Sequence, residues 1–241
     1  MCYKITVTTA KDLLEKRFDA NFSPEKELKP YFHANGFSNP PLPVIAQESP
    51  KEIDLFEWGL IASFAKDSDH AKKLRLGTLN AKSETVFELA SFKNSIRKKR
   101  CLVLADGFYE SRKVAGKSYP YKIERKDKEP FALAGIYNYW KDENGFWHKT
   151  FSVMTTVPNQ MMSVIHNEKL RMPVILPKEI ERKWLDPNLL DDEITNLLQP
   201  LEDGILTAHT VDSRINQSKV FSNEAWVTEV CEYPGVETFL Q

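Results

Sequence analysis

Two apolar runs of strand length, residues 101–105 and 131–140, constrain the fold of this chain more than any other feature. Uninterrupted apolar runs of this length are typical of strands that are covered on both faces. The second run is followed by Asp-Glu-Asn-Gly at 142–145 and by a strand-like segment at 147–154, which together predict a hairpin. The core is therefore expected to be built on antiparallel sheet, with Cys101 as a buried core residue.

The first residues of the chain predict a strand whose two faces differ. Residues 3–8 alternate between apolar and polar side chains, which is the period of a half-buried strand. Tyr3, Ile5 and Val7 are expected to face inward, and the opposite face then carries Cys2, Lys4 and Thr6. A cysteine that only filled the core would share the parity of the apolar residues, so this position favours another role for Cys2.

Weaker patterns complete the secondary structure. Helices are predicted at 11–18, 83–96, 157–165, 177–185 and 191–198, and further strands at 53–60, 172–176 and 205–211. A segment rich in Pro, Asn and Ser, 23–50, is predicted to be a loop. Without a repeat or a linker, the fold class is expected to be α+β: one domain over 1–241, with a mainly antiparallel, barrel-like core at about 2–230, helices packed outside and a C-terminal tail.

Composition excludes several classes of protein. No run approaches the roughly 18 apolar residues of a membrane helix and no apolar signal region is present, so a cytoplasmic protein without a membrane partner is expected. Cys2, Cys101 and Cys231 are too few and too scattered for a disulfide framework or a zinc site. The net charge of −1 argues against bulk attraction to nucleic acid, but a local basic groove remains open.

Cys2 acquires unusual chemistry if Met1 is removed. The residue then carries a free α-amine and a thiol on adjacent carbons, with pKa values of about 8 and about 8.5 in peptides. Such a 1,2-aminothiol condenses with an aldehyde through an imine and closes to a five-membered thiazolidine, which no internal cysteine can do. Taken alone, however, a cysteine at position 2 is more often inert.

Polar residues also occur in four short segments where secondary structure alone does not require them. They are Cys2 with Lys4, the stretch Thr-Leu-Asn-Ala-Lys-Ser-Glu-Thr at 78–85, the stretch Ala-Asp-Gly-Phe-Tyr-Glu at 105–110, and Thr-Thr at 155–156 with Ile-His-Asn-Glu-Lys-Leu-Arg-Met-Pro at 165–173. Together with Trp-Gly-Leu at 58–60, these segments run in order through nearly the whole chain. In that order they resemble the SRAP family, named for SOS response-associated peptidase, whose members crosslink to abasic sites in single-stranded DNA.

The resemblance implies a role for each matching residue. Cys2 would be the nucleophile, Asn80 would hold the Cys2 end or the opened sugar, and Glu110 and His166 would form an acid/base pair. Capture of an aldehyde needs proton transfers at the imine and at the departing oxygen, which suits a carboxyl and an imidazole. The alternatives are a solvated strand-end acid for Glu110 and a structural histidine at a helix end for His166. No metal and no cofactor are implied.

Cations and flat side chains are expected to hold the DNA. Lys4, Lys82 and Arg171 lie beside the reactive residues and would contact phosphates, and Trp58 would stack on a base. The basic run at 97–100 is open to two interpretations, a solvated helix end or a DNA contact.

The chain departs from the family pattern in three places. Tyr3-Lys4 stands where the family usually has Gly-Arg, and Lys82 stands where Arg is commoner. Four residues separate His166 from Arg171, against one in many relatives. Lysine lacks the two-pronged grip of arginine on phosphate, so weaker and more salt-sensitive DNA binding is expected.

Three hypotheses on function follow. The first is a monomeric crosslinker of the DNA damage response that loses Met1 by self-cleavage or to an aminopeptidase, binds single-stranded DNA with an abasic site, and associates with the nucleoid on damage. Strand cleavage by β-elimination, a lyase activity, is its expected side reaction. The second is a peptidase that uses the N-terminal cysteine against other proteins. The third is a DNA-binding module that forms no covalent bond.

Overall fold

The computed structural model describes residues 2–23, 25–217 and 222–239. Within those residues the chain forms fourteen strands: β1 (Lys4–Val7), β2 (Asn21–Phe22), β3 (Tyr31–Asn35), β4 (Pro41–Ala46), β5 (Glu52–Trp58), β6 (Asn80–Lys82), β7 (Arg100–Ala105), β8 (Gly107–Val114), β9 (Lys117–Arg125), β10 (Phe131–Lys141), β11 (Trp147–Thr156), β12 (Met172–Pro173), β13 (Ile175–Leu176) and β14 (Leu206–Thr210). The same residues form six short α-helices: α1 (Lys11–Phe18), α2 (Ser68–Arg75), α3 (Lys93–Lys98), α4 (Gln160–Ile165), α5 (Glu181–Trp184) and α6 (Asp191–Leu197). Single 3₁₀ turns are at Gly36–Ser38, Lys178–Ile180, Ser213–Asn216 and Ala225–Thr228.

In the described part of the chain, five strands close into a barrel. Antiparallel pairs join β5 to β4, β4 to β7, β7 to β10 and β10 to β11. The circle is completed by β11, which pairs in parallel with β5 where Phe151 lies opposite Trp58. A closed barrel leaves none of these strands with a free edge. The predicted α+β class with a barrel-like antiparallel core is confirmed.

The two apolar runs are explained by burial on both faces. Along β7, Cys101, Val103 and Ala105 belong to a cluster that draws on all five barrel strands, whereas Leu102 and Leu104 belong to a second cluster. The second cluster also contains apolar side chains of α1, α3, α5 and α6, so these helices cover the outside of the barrel. Cys101 is fully buried, as predicted.

A second sheet, with strand order β14-β9-β8-β1-β3, carries the amino terminus. Strand β1 pairs antiparallel with β8, and Ile5 lies opposite Phe108. Continuing that register backwards brings Tyr3 opposite Glu110. On its other side β1 pairs with β3. The beginning of the chain is thus held between two strands, and Cys2 lies two residues before the first paired residue, Lys4.

Both faces of β1 are covered, which corrects the expectation of one inward face. Ile5 and Val7 are fully buried, but so are Thr6 and Cys2, while Tyr3 is half-buried. Parity separates the two faces of a strand and does not tell which of them meets solvent, because the layers that cover a strand come from distant parts of the chain.

The predicted loop at 23–50 is wrong, since it contains β3 and β4. Proline is rare in paired strands, so the prolines of this segment favoured a loop over a strand. Pro41 is the first residue of β4, and pairing with β7 begins only at Val44. Both Pro41 and Pro43 therefore lie in the part of β4 that has one neighbouring strand, β5.

The predicted helix at 83–96 is also wrong over most of its length. Only α3 is helical, and residues 83–92 form successive turns. The amide of Ser83 donates to the carbonyl oxygen of Thr155, which holds the segment to β11. In the turns Val86 is fully buried and Leu89 is 47% exposed, so the apolar stripe does not lie on one face.

The remaining boundaries differ less. The predicted strand at 172–176 is two strands, since β12 pairs with β11 and β13 pairs with β10. The predicted helix at 177–185 is a 3₁₀ turn followed by α5, and that at 157–165 is shortened to α4. Helix α1 has the predicted bounds. No helix among the described residues is both long and apolar enough to cross a membrane.

Candidate active site at the N-terminal strand

Cys2 is fully buried two residues before β1 and belongs to the cluster that draws on the barrel strands. Its Sγ lies 3.8 Å from the carbonyl oxygen of Lys4. Burial, followed by the charge of Glu110, raises the pKa of the Cys2 thiol. The sulfur is therefore held as a neutral thiol, and a proton acceptor is needed to make it a nucleophile. Met1 lies outside the described residues.

Asn80 is bonded directly to Cys2. Its Nδ2 donates to the Cys2 carbonyl oxygen at 2.8 Å, and the side chain is buried. Asn80 begins β6, which pairs in parallel with β11 next to Val153. Among the described residues Oδ1 of Asn80 has no hydrogen-bond partner. A buried amide oxygen without a partner is costly.

Glu110 and His166 face one another at the same point. His166 Nε2 lies 3.5 Å from Glu110 Oε2, and both side chains are about nine-tenths buried. His166 follows α4, and its Nδ1 is 2.9 Å from the carbonyl oxygen of Arg171. A carbonyl oxygen only accepts, so Nδ1 carries the proton of the neutral ring. The lone pair of Nε2 is thereby directed towards the carboxyl group of Glu110.

Burial moves the pKa values of this pair in opposite directions. It raises the pKa of Glu110 to about 7 and lowers the pKa of His166 to about 4. Near neutral pH the imidazole is therefore uncharged, and the carboxyl group is divided between its two protonation states. An acid and a base of this kind can pass protons to and from a bound molecule. Burial also argues against the alternative of a solvated strand-end acid for Glu110.

Two pockets reach Glu110 from outside. The larger has a volume of about 270 Å³ and is lined by Tyr3, Glu110, Ser111, Lys113, Ser118, His166, Glu168 and Lys169. The other has a volume of about 160 Å³ and is lined by Tyr3, Lys4, Tyr109, Glu110, Ser111, Pro120 and Asn216. Tyr3 and Glu110 are common to both. The four residues predicted for catalysis, Cys2, Asn80, Glu110 and His166, thus come together beside openings that carry lysines.

The three cations predicted to hold DNA differ in their surroundings. Lys82 is exposed at the end of β6. Lys4 Nζ donates to Oδ1 of Asn216, and burial lowers the pKa of Lys4. Arg171 forms a two-pronged ion pair with Glu84 and donates to the carbonyl oxygen of Thr155. Of these three, Lys82 is the most accessible to a phosphate.

Trp58 is placed differently from the expectation that it stacks on a base. The side chain is fully buried, and its ring lies 6.1 Å from that of Phe151 at an angle of 12°. Its Nε1 donates to the carbonyl oxygen of Leu79 at 2.8 Å. No face of the ring is left for a base, so this expectation is wrong. Trp58 instead supports the strand that begins with Asn80.

The basic run at 97–100 belongs largely to the packing of the fold. Arg100 is fully buried, and its Nε donates to the carbonyl oxygen of Trp184 at 2.8 Å. Arg97 pairs with Asp191, and Lys99 Nζ donates to Oδ1 of Asn138. These contacts argue against the run as a whole being either a DNA contact or a solvated helix end.

The sequence interpretation missed the hairpin β8–β9, which carries Glu110. Its turn has Ala115 and Gly116 at φ of 48° and 80°, and the pairing runs from Gly107 opposite Glu124 to Val114 opposite Lys117. The Ala-Gly pair between two polar-alternating segments was the available signal. Lys113 and Lys169 line the larger pocket and were not predicted. They have no local signal, because their approach to Glu110 depends on tertiary structure.

The chain is thus an α+β protein with a barrel core and a candidate nucleophilic site. In that site a buried cysteine near the amino terminus of the chain lies beside the side chains of Asn80, Glu110 and His166. The chain belongs to the SOS response associated peptidase (SRAP) family, whose sequence model matches residues 1–218. The predicted resemblance is thereby confirmed. In the described residues no group of three or more His, Cys, Asp and Glu side chains is placed to hold a metal ion.

The chain is also similar in sequence or in structure to individual proteins over most of its length. The abasic site processing protein YoaM of Bacillus subtilis is 34% identical over 227 residues, which is 93% of this chain and 96% of YoaM. The abasic site processing protein HMCES of Xenopus tropicalis is 31% identical and matches 80% of this chain and 64% of its own length. A crystal structure of a protein from Bacteroides thetaiotaomicron superposes with a TM-score of 0.89 at 33% identity, covering 96% of this chain and all of that one.

Proposed function

We propose that the protein captures abasic sites in single-stranded DNA through a covalent thiazolidine at Cys2, after removal of Met1. The observation that carries the proposal is the bond from Asn80 to the Cys2 carbonyl oxygen, which holds residue 2 beside the buried pair of Glu110 and His166. Relatives named abasic site processing proteins support the same class of lesion as substrate.

The proposed reaction joins one aldehyde to one aminothiol. The ring-opened sugar of the abasic site presents an aldehyde at C1′. The α-amine of Cys2 adds to that carbon, and loss of one water gives an imine. The thiol then adds to the imine carbon while the nitrogen takes up a proton, which closes the five-membered ring. One C–N bond and one C–S bond form, the C=O bond is broken, and water leaves.

Glu110 and His166 supply the proton transfers in this scheme. In its protonated form Glu110 gives a proton to the oxygen that leaves as water, and its pKa of about 7 keeps that form populated near neutral pH. The neutral ring of His166, with a pKa of about 4, offers Nε2 as the acceptor for a proton of the thiol or the amine. Asn80 holds the residue in position while both bonds form.

The same residues bear on two further steps. An imine at C1′ acidifies the neighbouring C2′–H, so β-elimination and strand cleavage accompany capture as a side reaction. Glu110 also assists removal of Met1, unless an aminopeptidase removes it first. We propose that the whole chain acts as one domain and as a monomer, because the site is assembled within a single chain. We also propose that it acts in the cytoplasm.

Single-stranded DNA is the proposed partner, and lysines around the site are its phosphate contacts. Lys82 is exposed beside Asn80, and Lys113 and Lys169 line the larger pocket, where Lys113 is paired with Glu168. Arg171 is neutralised by Glu84 and contributes less charge than an unpaired arginine would. Lysines bind phosphate as point charges, so binding is expected to weaken steeply with salt.

The test is the intact mass of the tag-free protein before and after incubation with a single-stranded oligonucleotide that carries one abasic site. The expected result is loss of Met1, followed by a mass gain equal to the oligonucleotide minus one water. An oligonucleotide with a tetrahydrofuran in place of the abasic sugar has no aldehyde and serves as one control. Cys2→Ala is the other, and neither should give an adduct. Processed wild-type protein that forms no adduct would contradict the proposal.

A further inference from the structure

Tyr3 and Phe37 form a pair of aromatic rings at the edge of the site. Their ring centroids are 4.9 Å apart at an angle of 35°, Phe37 is 54% exposed and Tyr3 is half-buried. Neither residue was predicted from the sequence to contact DNA. The role of the pair therefore has to be argued from its surroundings in the fold.

The backbone holds the two rings in place. The amide of Gly36 donates to the carbonyl oxygen of Tyr3 at 2.8 Å, and Oδ1 of Asn35 accepts from the amide of Phe37. Gly36 packs so closely on Trp58 that a Cβ would lie 3.2 Å from the indole ring. The turn that presents Phe37 is therefore seated on the barrel core. A fixed ring loses little conformational entropy when a ligand stacks on it.

One ring of the pair, Tyr3, lies at the openings that the proposed substrate must enter, and Phe37, which lines neither opening, packs against Tyr3. Tyr3 is the residue next to Cys2, and it lines both of the pockets that reach Glu110. Lys4 lines one of these pockets and Lys113 the other. When C1′ of an abasic sugar is bonded to Cys2, the neighbouring nucleotide is one backbone unit away. Its base then meets an aromatic face, and its phosphates meet the lysines.

Other features favour stacking over simple packing. The phenol of Tyr3 is uncharged near neutral pH and does not repel DNA, and burial raises its pKa further above the ordinary value. The ring of Phe37 is more than half exposed, although its turn is firmly held. Trp58, which could have supplied a stacking face, is buried. Single-stranded DNA binding by proteins combines aromatic faces with cations, and here Tyr3 lines two openings that each also carry a lysine.

We propose that Tyr3 and Phe37 are a stacking platform for the base next to the abasic site. This inference rests on the proposed function and adds a substrate preference to it. A flanking purine, which has the larger face, is bound more tightly than a flanking pyrimidine. A neighbouring nucleotide without a base is bound least tightly, because it leaves the platform uncovered.

The first experiment measures stacking without crosslinking. Single-stranded oligonucleotides carry a tetrahydrofuran with fluorescent 2-aminopurine on its 5′ or its 3′ side, and are titrated with the protein. Wild-type protein is expected to quench the fluorescence on one side. Phe37→Ala and Tyr3→Ala should bind about tenfold more weakly and lose the quenching, whereas Tyr3→Phe should keep both. Phe146→Ala removes a ring that is more exposed than that of Phe37, 69% accessible in the β10–β11 turn, and should change nothing.

The second experiment separates this inference from the proposed function. Adduct formation is followed with an abasic site flanked by purines or by two tetrahydrofurans. The wild-type rate at subsaturating DNA should fall about tenfold when the flanking bases are removed, and that difference should vanish in Phe37→Ala. An adduct that forms equally fast on both substrates, without quenching in the first experiment, overturns the platform alone. Absence of any adduct overturns the proposed function instead.

Discussion

The side-chain amide of Asn80 donates a hydrogen bond of 2.8 Å to the carbonyl oxygen of Cys2, and so ties strand β6 to the beginning of the chain. Without it, residue 2 would depend on the end of a strand pairing that begins only at Lys4. The bond therefore fixes the position of the candidate nucleophile relative to Glu110 and His166.

Asn80→Ala is expected to lower the rate of adduct formation about 100-fold, because small misplacements of a reacting group have effects of that size. It should also lower the free energy of unfolding by about 1–3 kcal/mol, as the Cys2 carbonyl oxygen loses its partner. Asn138→Ala is the matched control, since Asn138 is buried and donates to the Ile61 carbonyl oxygen at 2.8 Å. Equal loss of adduct rate in both variants would show that Asn80 acts only through stability. Adduct gels and urea unfolding measure the two effects.

Glu110 should make the protein less stable as the pH rises. Its folded-state pKa is about 7, above the unfolded value of 4.5, so the folded state holds the proton more tightly. The free energy of unfolding therefore falls between about pH 4.5 and pH 7 and stays lower above that range. The free energy of unfolding of Glu110→Gln, relative to that of wild type, should therefore rise by on the order of 3 kcal/mol when the pH is raised from about 4.5 to about 8. Urea unfolding at both pH values measures this difference.

Glu168→Gln is the control for that measurement, because Glu168 is exposed and pairs with Lys113 at the same opening. It should gain no stability over the same range. A stability difference between Glu110→Gln and wild type that does not change with pH would mean that Glu110 is ionised normally in the folded protein.

Lys82→Ala should weaken binding to single-stranded DNA of any sequence. The slope of log affinity against log salt is expected to become shallower by about 0.7, the contribution of one phosphate contact on a single strand. Lys72→Ala removes an exposed lysine of α2, which pairs with Asp69, and should leave the slope unchanged. Fluorescence anisotropy over a salt series distinguishes the two variants. An unchanged slope for Lys82→Ala would remove this residue from the DNA contacts.

Trp58→Ala should destabilise the fold by about 3–5 kcal/mol, because a fully buried ring is removed and the Leu79 carbonyl oxygen loses its donor. Trp58→Phe keeps most of the volume and should lose less stability. Folded Trp58→Phe is expected to bind single-stranded DNA as wild type does. Weaker DNA binding at unchanged stability would instead indicate that Trp58 contacts a base. Urea unfolding and anisotropy titrations on the same samples decide between them.

The sequence alone predicted the elements whose signals are local. The apolar run of β7, the β10–β11 hairpin with its turn, and α1 depend on residues close together in the chain, and the structure has them where they were expected. The family could be identified because short motifs keep their order in the sequence whatever their positions in space. Cys2, Asn80, Glu110 and His166 came from those motifs, and their roles in catalysis stay predictions.

Tertiary structure alone decided which side chains are accessible and which of them meet. Closure of the barrel by β11 and β5 buries Trp58, and the pairing of β1 with β8 brings Tyr3 and Glu110 to the same pocket. Neither pairing has a local signal, because its partners are about 90 or more residues apart in the chain. Strand register and layer packing are set by the lowest free energy of the whole fold. For that reason the sequence predicted the reactive residues, while the ring pair beside them could be found only in the folded protein.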